Sequence, residues 1–225
     1  MDRRQALRNI GLGAGAVVAT PTVISLLQSC KSEPSFVPVF VTPAQGHALE
    51  QMVDLIIPAD ETVPGAVAVG AHKFIDAYWN EITPNVQGEI WEGRFEPLQD
   101  HVKMFFNMFG EEYTATFEKE LSDGTPEEFD QMLSKYLTLD KETQTQHYMA
   151  LNEFFEEYES DKTATPANDS AVFALLSGIR GMTIWAWKSS EQIGENVLWY
   201  DPVPGQQKGC ISLGEAGNNG NAMSL

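Results

Sequence analysis

Apolar side chains recur at intervals of three and four residues along most of this chain, and this periodicity limits the fold more than any other feature. The spacing is that of one face of an α-helix. Six such stripes begin at Leu49, Ala71, Trp91, Phe129, Tyr148 and Val172. Only residues 36–41 look like a strand, and Pro38 reduces that run to a sheet edge or an extended lead-in. The sequence therefore predicts an all-α protein with a single compact domain of about six helices.

Two capping boxes with proline at the first helical position mark helix starts. They are Thr42-Pro43-Ala44-Gln45 and Thr125-Pro126-Glu127-Glu128. Pro97 lies within the third stripe and predicts a kink or break there. We place the helical domain at residues 42–213, with an irregular C-terminal segment, and expect the Gly- and Asn-rich tail, residues 214–225, to be mobile.

Residues 1–29 resemble an export signal rather than part of the fold. Arg3 and Arg4 precede an apolar run rich in Gly and Ala, as in a twin-arginine signal peptide. The run ends in a lipobox-like sequence, so we expect Cys30 to be acylated and residues 30–41 to form a tether. The alternative is an uncleaved anchor helix. Both interpretations place the body of the protein on the periplasmic side of the cell envelope, attached to a membrane.

The cysteines leave three possibilities open. If Cys30 carries lipid, Cys210 is the remaining thiol in an oxidising compartment. Cys210 could then pair with a cysteine of another chain or remain a buried free thiol. If Cys30 is not acylated, a Cys30–Cys210 disulfide becomes possible.

The charge balance is strongly acidic, with 32 Asp and Glu residues against 14 Lys and Arg residues and a net charge of −18. Such a surface repels phosphate backbones and anionic lipid head groups. Nucleic-acid binding is therefore disfavoured, whereas a basic partner would be attracted.

No motif for catalysis, cofactor binding or metal binding stands out. The chain has no Gly-x-Ser-x-Gly, phosphate loop or dinucleotide fingerprint. His47, Glu50 and Asp54 could share a helix face, but that face lies opposite the apolar stripe and is more simply the solvated side. The acidic cluster around Glu153 and Glu157 flanks an aromatic stripe in the same manner. We therefore predict no catalytic, cofactor or metal site in this chain.

The C-terminal part is the least ordinary, because tryptophans there lie close to two prolines that stiffen the chain. Aromatic anchors on a rigid segment suit a protein–protein contact. Packing of the same residues against the protein's own helices is equally consistent with the sequence, and Arg180 could be a buried ion-pair partner. The candidate partner-contact residues are Arg180, Trp185, Trp187, Trp199, Tyr200, Pro202, Pro204 and Cys210.

Motifs at both ends of the body resemble the gluconate 2-dehydrogenase subunit 3 family. The opening motif is Leu55-Ile56-Ile57-Pro58-Ala59-Asp60, then Pro64-Gly65-Ala66, then Gly70-Ala71-His72-Lys73-Phe74-Ile75-Asp76. The closing motif is Phe173, Leu176 and Arg180, then Asp201-Pro202-Val203-Pro204-Gly205 and Gly209-Cys210. The resemblance spans roughly Thr42 to Cys210 and is weaker in the middle. The sequence departs from the family at Trp185-Ala186-Trp187, where Gly and Tyr would be expected, and in its lipobox.

The resemblance implies a small subunit without flavin that accompanies a large FAD-containing subunit of the glucose–methanol–choline type. A cytochrome c subunit carrying haem is often present, and the partner oxidises a sugar, sugar acid or polyol. The small subunit in such complexes brings the export signal. We therefore expect an exported, lipid-tethered, non-catalytic accessory subunit. The alternatives are a free-standing envelope lipoprotein that acts as an acidic binding or adaptor module, and a secreted hydrolase that uses the Glu153–Glu157 cluster.

Overall fold

A computed structural model describes residues 36–83 and 99–198, together with Cys210 and Ser212. Within these ranges the chain forms helices and no β-strand, which confirms the all-α prediction. The chain divides into two compact units, Met1–Val37 and Pro38–Leu225, and every helix described below belongs to the second. The helices are α1 (Pro43–Ile56), α2 (Ala71–Glu81), α3 (Gln99–Phe117), a 3-10 turn (Leu121–Asp123), α4 (Pro126–Leu137), α5 (Lys141–Ser160), α6 (Asn168–Ser189) and α7 (Glu191–Asn196).

Helix α6 is the centre of the fold, since it contacts each of the other six α-helices described. Its side chains are buried on several sides, as expected of a helix enclosed by its neighbours. Leu176 and Ile179 are fully buried, and Val172 and Phe173 join them in the core. The remaining helices therefore take their positions from α6.

Both predicted capping boxes are confirmed. Thr42 accepts a hydrogen bond from the Gln45 amide, and the Gln45 side chain accepts one from the Thr42 amide. Thr125 and Glu128 make the same reciprocal pair at the start of α4. The predicted break at Pro97 and the tail, residues 214–225, lie outside the described residues.

The strand-like run is an extended lead-in rather than an edge strand. We use "lead-in" for residues 38–41, whose backbone is held by one buried side chain of α2. The Asp76 carboxylate, 2% exposed, accepts hydrogen bonds from the amides of Val39 (2.6 Å), Phe40 (3.1 Å) and Val41 (3.0 Å). A carboxylate is a strong acceptor for several amide donors, so this contact anchors the lead-in to α2.

The turn between α1 and α2 is built from the opening motif. The Asp60 carboxylate accepts hydrogen bonds from the amides of Thr62 and Val63, both at 2.7 Å, and from the Thr62 hydroxyl, and these bonds lower the pKa of Asp60. A Cβ on Gly65 would lie 2.5 Å from the Ala59 nitrogen, so only glycine fits there. Gly70 precedes α2 with a φ of 79°, a left-handed conformation that glycine adopts without strain. These residues fix where α2 begins.

Candidate partner-contact surface

Three aromatic rings meet at the protein surface between α2 and α6. We call Phe74, Tyr78 and Trp185 the aromatic patch. The Trp185 ring centroid lies 5.1 Å from that of Phe74 and 5.6 Å from that of Tyr78, both in edge-to-face geometry. Phe74 is 40% exposed and Trp185 is 43% exposed, although both side chains are large and apolar. The patch therefore presents aromatic surface from two helices at once.

The patch arises because α2 carries two neighbouring apolar rows. Ala71, Ile75 and Trp79 form the row that is buried in the core. Phe74 and Tyr78, four residues apart, form the second row, which lies at the edge of the contact with α6. Clustered aromatic exposure of this kind marks an interaction surface more often than single exposed apolar residues do.

Trp187, a second predicted contact residue, points elsewhere. It is half-buried, and its indole nitrogen donates a hydrogen bond to the carbonyl oxygen of Pro64 at 2.9 Å. The side chain thereby ties the turn after α1 to the end of α6. This is the packing role that the sequence left open as the alternative to partner contact.

The remaining predicted contact residues are only partly described. Arg180 is exposed on α6, so the alternative of a buried ion-pair partner is wrong. Cys210 is an exposed free thiol, so the alternative of a buried thiol is also wrong. The other predicted residues, for contact, export and lipidation, lie outside the described part of the chain and stay predictions: Trp199, Tyr200, Pro202, Pro204, Arg3, Arg4 and Cys30.

A groove that the sequence did not predict lies between α3, α5 and α6. Its volume is about 880 Å³, and most of its lining is apolar. We call it the α5–α6 groove. The lining residues include Trp79, Val102, Phe105, Tyr148, Leu151, Phe155, Leu175 and Met182 from these helices and α2, with Asn152, Glu156 and Ser177 as polar members. The sequence showed these apolar stripes but could not show that their helices leave a gap.

The α1 face that carries His47, Glu50 and Asp54, which we expected to be solvated, is exposed only at Asp54, whereas His47 and Glu50 are partly buried and contact other segments. The His47 ring nitrogen Nε2 lies 3.0 Å from the carbonyl oxygen of Gly124, which can only accept a hydrogen bond. Glu50 lies 3.8 Å from the buried His72. Across residues 36–83 and 99–198, no group of three His, Cys, Asp or Glu side chains is placed to hold a metal ion.

The titratable clusters join helices to one another. Glu128 accepts hydrogen bonds from Lys119 (2.6 Å), the Thr125 amide (2.9 Å) and the Tyr113 hydroxyl (2.8 Å), and these lower the pKa of Glu128 to about 2. The Tyr136 hydroxyl lies 2.5 Å from a Glu112 carboxylate oxygen and 2.9 Å from one of Asp169. Burial, with these two carboxylates, raises the pKa of Tyr136.

The acidic cluster of α5 has the character of a solvated face. Glu153, Glu156, Glu157 and Glu159 are all exposed. A carboxylate pair for acid–base catalysis needs two carboxyl groups in contrasting environments, one of them partly desolvated. The four glutamates share one exposed environment, which disfavours the hydrolase alternative.

Comparison with known proteins gives one match. The family model described as Gluconate 2-dehydrogenase subunit 3 matches residues 43–205. No curated protein and no solved structure matches the chain significantly. The matched range runs from the start of α1 past the end of α7, so it includes the aromatic patch and the α5–α6 groove. No helix within the described residues is long and apolar enough to cross a membrane.

Proposed function

Because the chain belongs to the gluconate 2-dehydrogenase subunit 3 family, we propose that it is the non-catalytic small subunit of a periplasmic, FAD-dependent dehydrogenase complex. The FAD would reside in a large partner subunit of the glucose–methanol–choline type, which oxidises a sugar, sugar acid or polyol by two electrons. In a complex that also contains a cytochrome c subunit, that subunit would pass those electrons on. The family description, which names a subunit, supports the coarser statement that this chain works within a dehydrogenase complex.

The observation that carries the proposal is the aromatic patch. Binding energy at protein interfaces is concentrated in a few aromatic and arginine residues held on rigid elements. Phe74 and Trp185 are held by two helices that pack against each other in the core, yet both remain more than a third exposed. A contact with a large subunit would remove this aromatic area from water.

The N-terminal segment supports the second part of the proposal, which concerns export and tethering. The twin-arginine pathway carries folded proteins, so one signal containing Arg3 and Arg4 can serve a chain and a partner already bound to it. Acylation of Cys30 would then hold the complex at the membrane. The acidic body would contribute little to membrane binding, because it repels anionic head groups.

Purification from the native membrane tests the subunit assignment. The tagged chain would be extracted in mild detergent, and we would record its visible spectrum and identify the proteins that co-purify. We expect flavin absorbance and a large second chain. A colourless single chain, reproduced under gentle conditions, would refute the assignment and favour the free-standing lipoprotein.

Two tryptophan variants test the role of the patch. Trp185→Ala should leave the fold nearly intact, because the side chain is 43% exposed, but should release the flavoprotein during purification. The matched control, Trp187→Phe, removes the hydrogen bond to Pro64 and should cost about 1 kcal/mol of stability while the flavoprotein is retained. If both variants retain the flavoprotein equally, the aromatic patch is not part of the interface.

Two signal variants test export and tethering. Cys30→Ser should move the chain from the membrane to the soluble periplasmic fraction and abolish labelling with radioactive palmitate. Replacement of Arg3 and Arg4 by Lys should leave the chain, together with its flavoprotein, in the cytoplasm. Membrane attachment that persists in Cys30→Ser would instead support the uncleaved anchor helix.

A further inference from the structure

We propose that the α5–α6 groove receives an amphipathic helix of the flavin-bearing partner, with apolar anchors facing inward and Lys or Arg residues along its flank. This inference rests on the proposed function, since it names the segment of that partner which docks here. The three lines of support are the shape of the groove, an unsatisfied hydroxyl in its wall and the charge beside it.

The walls of the groove have the length that a docked helix needs. On α5 the lining positions Tyr148, Leu151 and Phe155 follow helical spacing over two turns. On α6 the lining positions Gly178 and Met182 are one turn apart, on the opposite side of the groove. Two turns correspond to about 10 Å, which matches the i, i+3/i+4, i+7 anchors by which an amphipathic helix binds a groove.

The α6 wall is open at its middle. Gly178 lines the groove, and a Cβ added there would meet no atom within 4 Å. Glycine within a helix costs roughly 0.5–1 kcal/mol relative to alanine. Small residues at such a position allow a second helix to approach the backbone closely. The gap is therefore one that an incoming side chain can fill.

The Ser177 hydroxyl supplies a polar partner within the apolar lining. Its oxygen is buried, and among the residues that the structure describes no group forms a hydrogen bond with it. A buried hydroxyl without a partner costs about 1–3 kcal/mol. A serine, threonine or amide side chain on the docked helix would satisfy it.

The charge beside the groove selects a basic helix. Glu156 lines the groove and is exposed. Glu153 and Glu159, which are also exposed, lie three residues before and three residues after it on α5. After Lys141, no Lys or Arg occurs in the rest of α5. The chain as a whole carries a net charge of −18. An acidic or neutral occupant, or an anionic lipid, would gain nothing from this surface, whereas flanking Lys and Arg residues would be attracted and oriented by it.

Photocrosslinking in the native complex identifies the occupant. The photoreactive amino acid p-benzoylphenylalanine would replace Gly178, and in a control it would replace Gln131, which is exposed on α4 and does not line the groove. After irradiation of the purified complex, the crosslinked peptides would be identified by mass spectrometry. We expect position 178 to crosslink to a segment of the flavoprotein with apolar residues at helical spacing and Lys or Arg between them.

Other crosslinks would overturn the inference. A crosslink from position 178 to a peptide of the chain itself would assign the groove to an internal contact, and a crosslink to lipid would assign it to the membrane. An absent crosslink while the flavoprotein co-purifies would place the partner elsewhere and leave the proposed function intact. Failure of the flavoprotein to co-purify with the unmodified chain would refute the proposed function itself.

A pair of charge reversals tests the stated chemistry of the occupant. Glu156→Lys and Glu157→Lys change the net charge equally, and both residues are exposed on α5, but only Glu156 lines the groove. We expect Glu156→Lys to accelerate dissociation of the flavoprotein roughly tenfold relative to Glu157→Lys at low salt, with a smaller ratio at high salt. Equal dissociation rates for the two variants would contradict a basic occupant.

Discussion

The Asp76 carboxylate binds three backbone amides, so the effect on stability of replacing one of its two oxygens can be predicted. Oδ1 accepts hydrogen bonds from the Phe40 and Val41 amides, and Oδ2 accepts one from the Val39 amide at 2.6 Å. Asp76→Asn keeps the shape of the side chain but replaces one oxygen by an amino group. In the better of its two orientations, the asparagine oxygen keeps the Phe40 and Val41 bonds. Its amino group then faces the Val39 amide, so that two donors oppose each other.

The size of the effect follows from these contacts. A hydrogen bond to a charged group contributes about 1.5–3 kcal/mol, so the lost Val39 bond alone costs that amount. The two remaining bonds weaken because their acceptor becomes neutral, whereas relief from burying a charge offsets part of the loss. We expect a net decrease of about 3 kcal/mol in the free energy of unfolding, or roughly 6–12 °C in Tm for a chain of this size.

Chemical and thermal unfolding, followed by circular dichroism, would measure this decrease. Hydrogen exchange at the amides of residues 39–41 would show whether the lead-in has been released. The matched control is Asp54→Asn, which makes the same chemical change at an exposed position of α1 and should alter stability by less than about 0.5 kcal/mol. An Asp76→Asn protein with the stability of the control and with unaltered exchange at these amides would refute the reasoning.

Two further predictions concern glycine and histidine positions. Gly65→Ala should destabilise the protein by about 1–3 kcal/mol or more, because the added Cβ would lie 2.5 Å from the backbone nitrogen of Ala59. Gly178→Ala should instead stabilise the protein by about 0.5–1 kcal/mol in the same unfolding assay, because the added Cβ meets no atom within 4 Å and alanine favours the helix. Burial, with Lys73 nearby, lowers the pKa of His72 from about 6.5 to about 4, so the unfolded chain binds more protons than the folded one between these values. The free energy of unfolding should therefore fall as the pH drops from 6.5 towards 4, with up to about 1.4 kcal/mol per pH unit contributed by this residue. Urea titrations at several pH values would measure this slope, and His72→Gln should reduce it. A slope that is the same in His72→Gln and in the unmodified protein would contradict this prediction.

The parts of the fold that the sequence predicts are those that depend on neighbouring residues. Each capping box needs only four consecutive residues, and both form as predicted at Thr42 and Thr125. The helical spacing likewise identifies α1, α2, α4, α5 and α6. The short α7 and the 3-10 turn Leu121–Asp123 were not predicted, because neither is long enough to show a repeated apolar face.

The exposed patch could not be predicted because it depends on where α6 lies. The apolar stripe of α2 contains two rows, and sequence spacing treats both as one face. The structure buries Ile75 and Trp79 but leaves Phe74 at 40% and Ile82 at 62% exposure. The sequence feature that could have indicated the patch is the width of the apolar stripe on α2, which is too wide to be covered by contact with a single neighbouring helix. Similarly, the α5–α6 groove depends on the distances between three helices, and the periodicity of apolar residues gives no information about those distances.

The hydrogen bonds made by polar groups inside the domain help to decide which subunit of the proposed complex carries out the oxidation. Asp76 holds the lead-in, the Ser170 hydroxyl lies 3.0 Å from a ring nitrogen of His147, and the Thr183 hydroxyl donates to the Ile179 carbonyl within α6. A catalytic site requires partly buried polar groups whose hydrogen-bonding capacity remains available to a substrate. In the part of the domain that the structure describes, Asp76, Ser170 and Thr183 instead bind the protein's own segments, whereas the unsatisfied Ser177 hydroxyl lies in the wall of the α5–α6 groove. Internal hydrogen bonds for these three groups, and a groove proposed to hold a helix of the partner, agree with the proposal that this chain binds and positions a partner whose flavin carries out the oxidation.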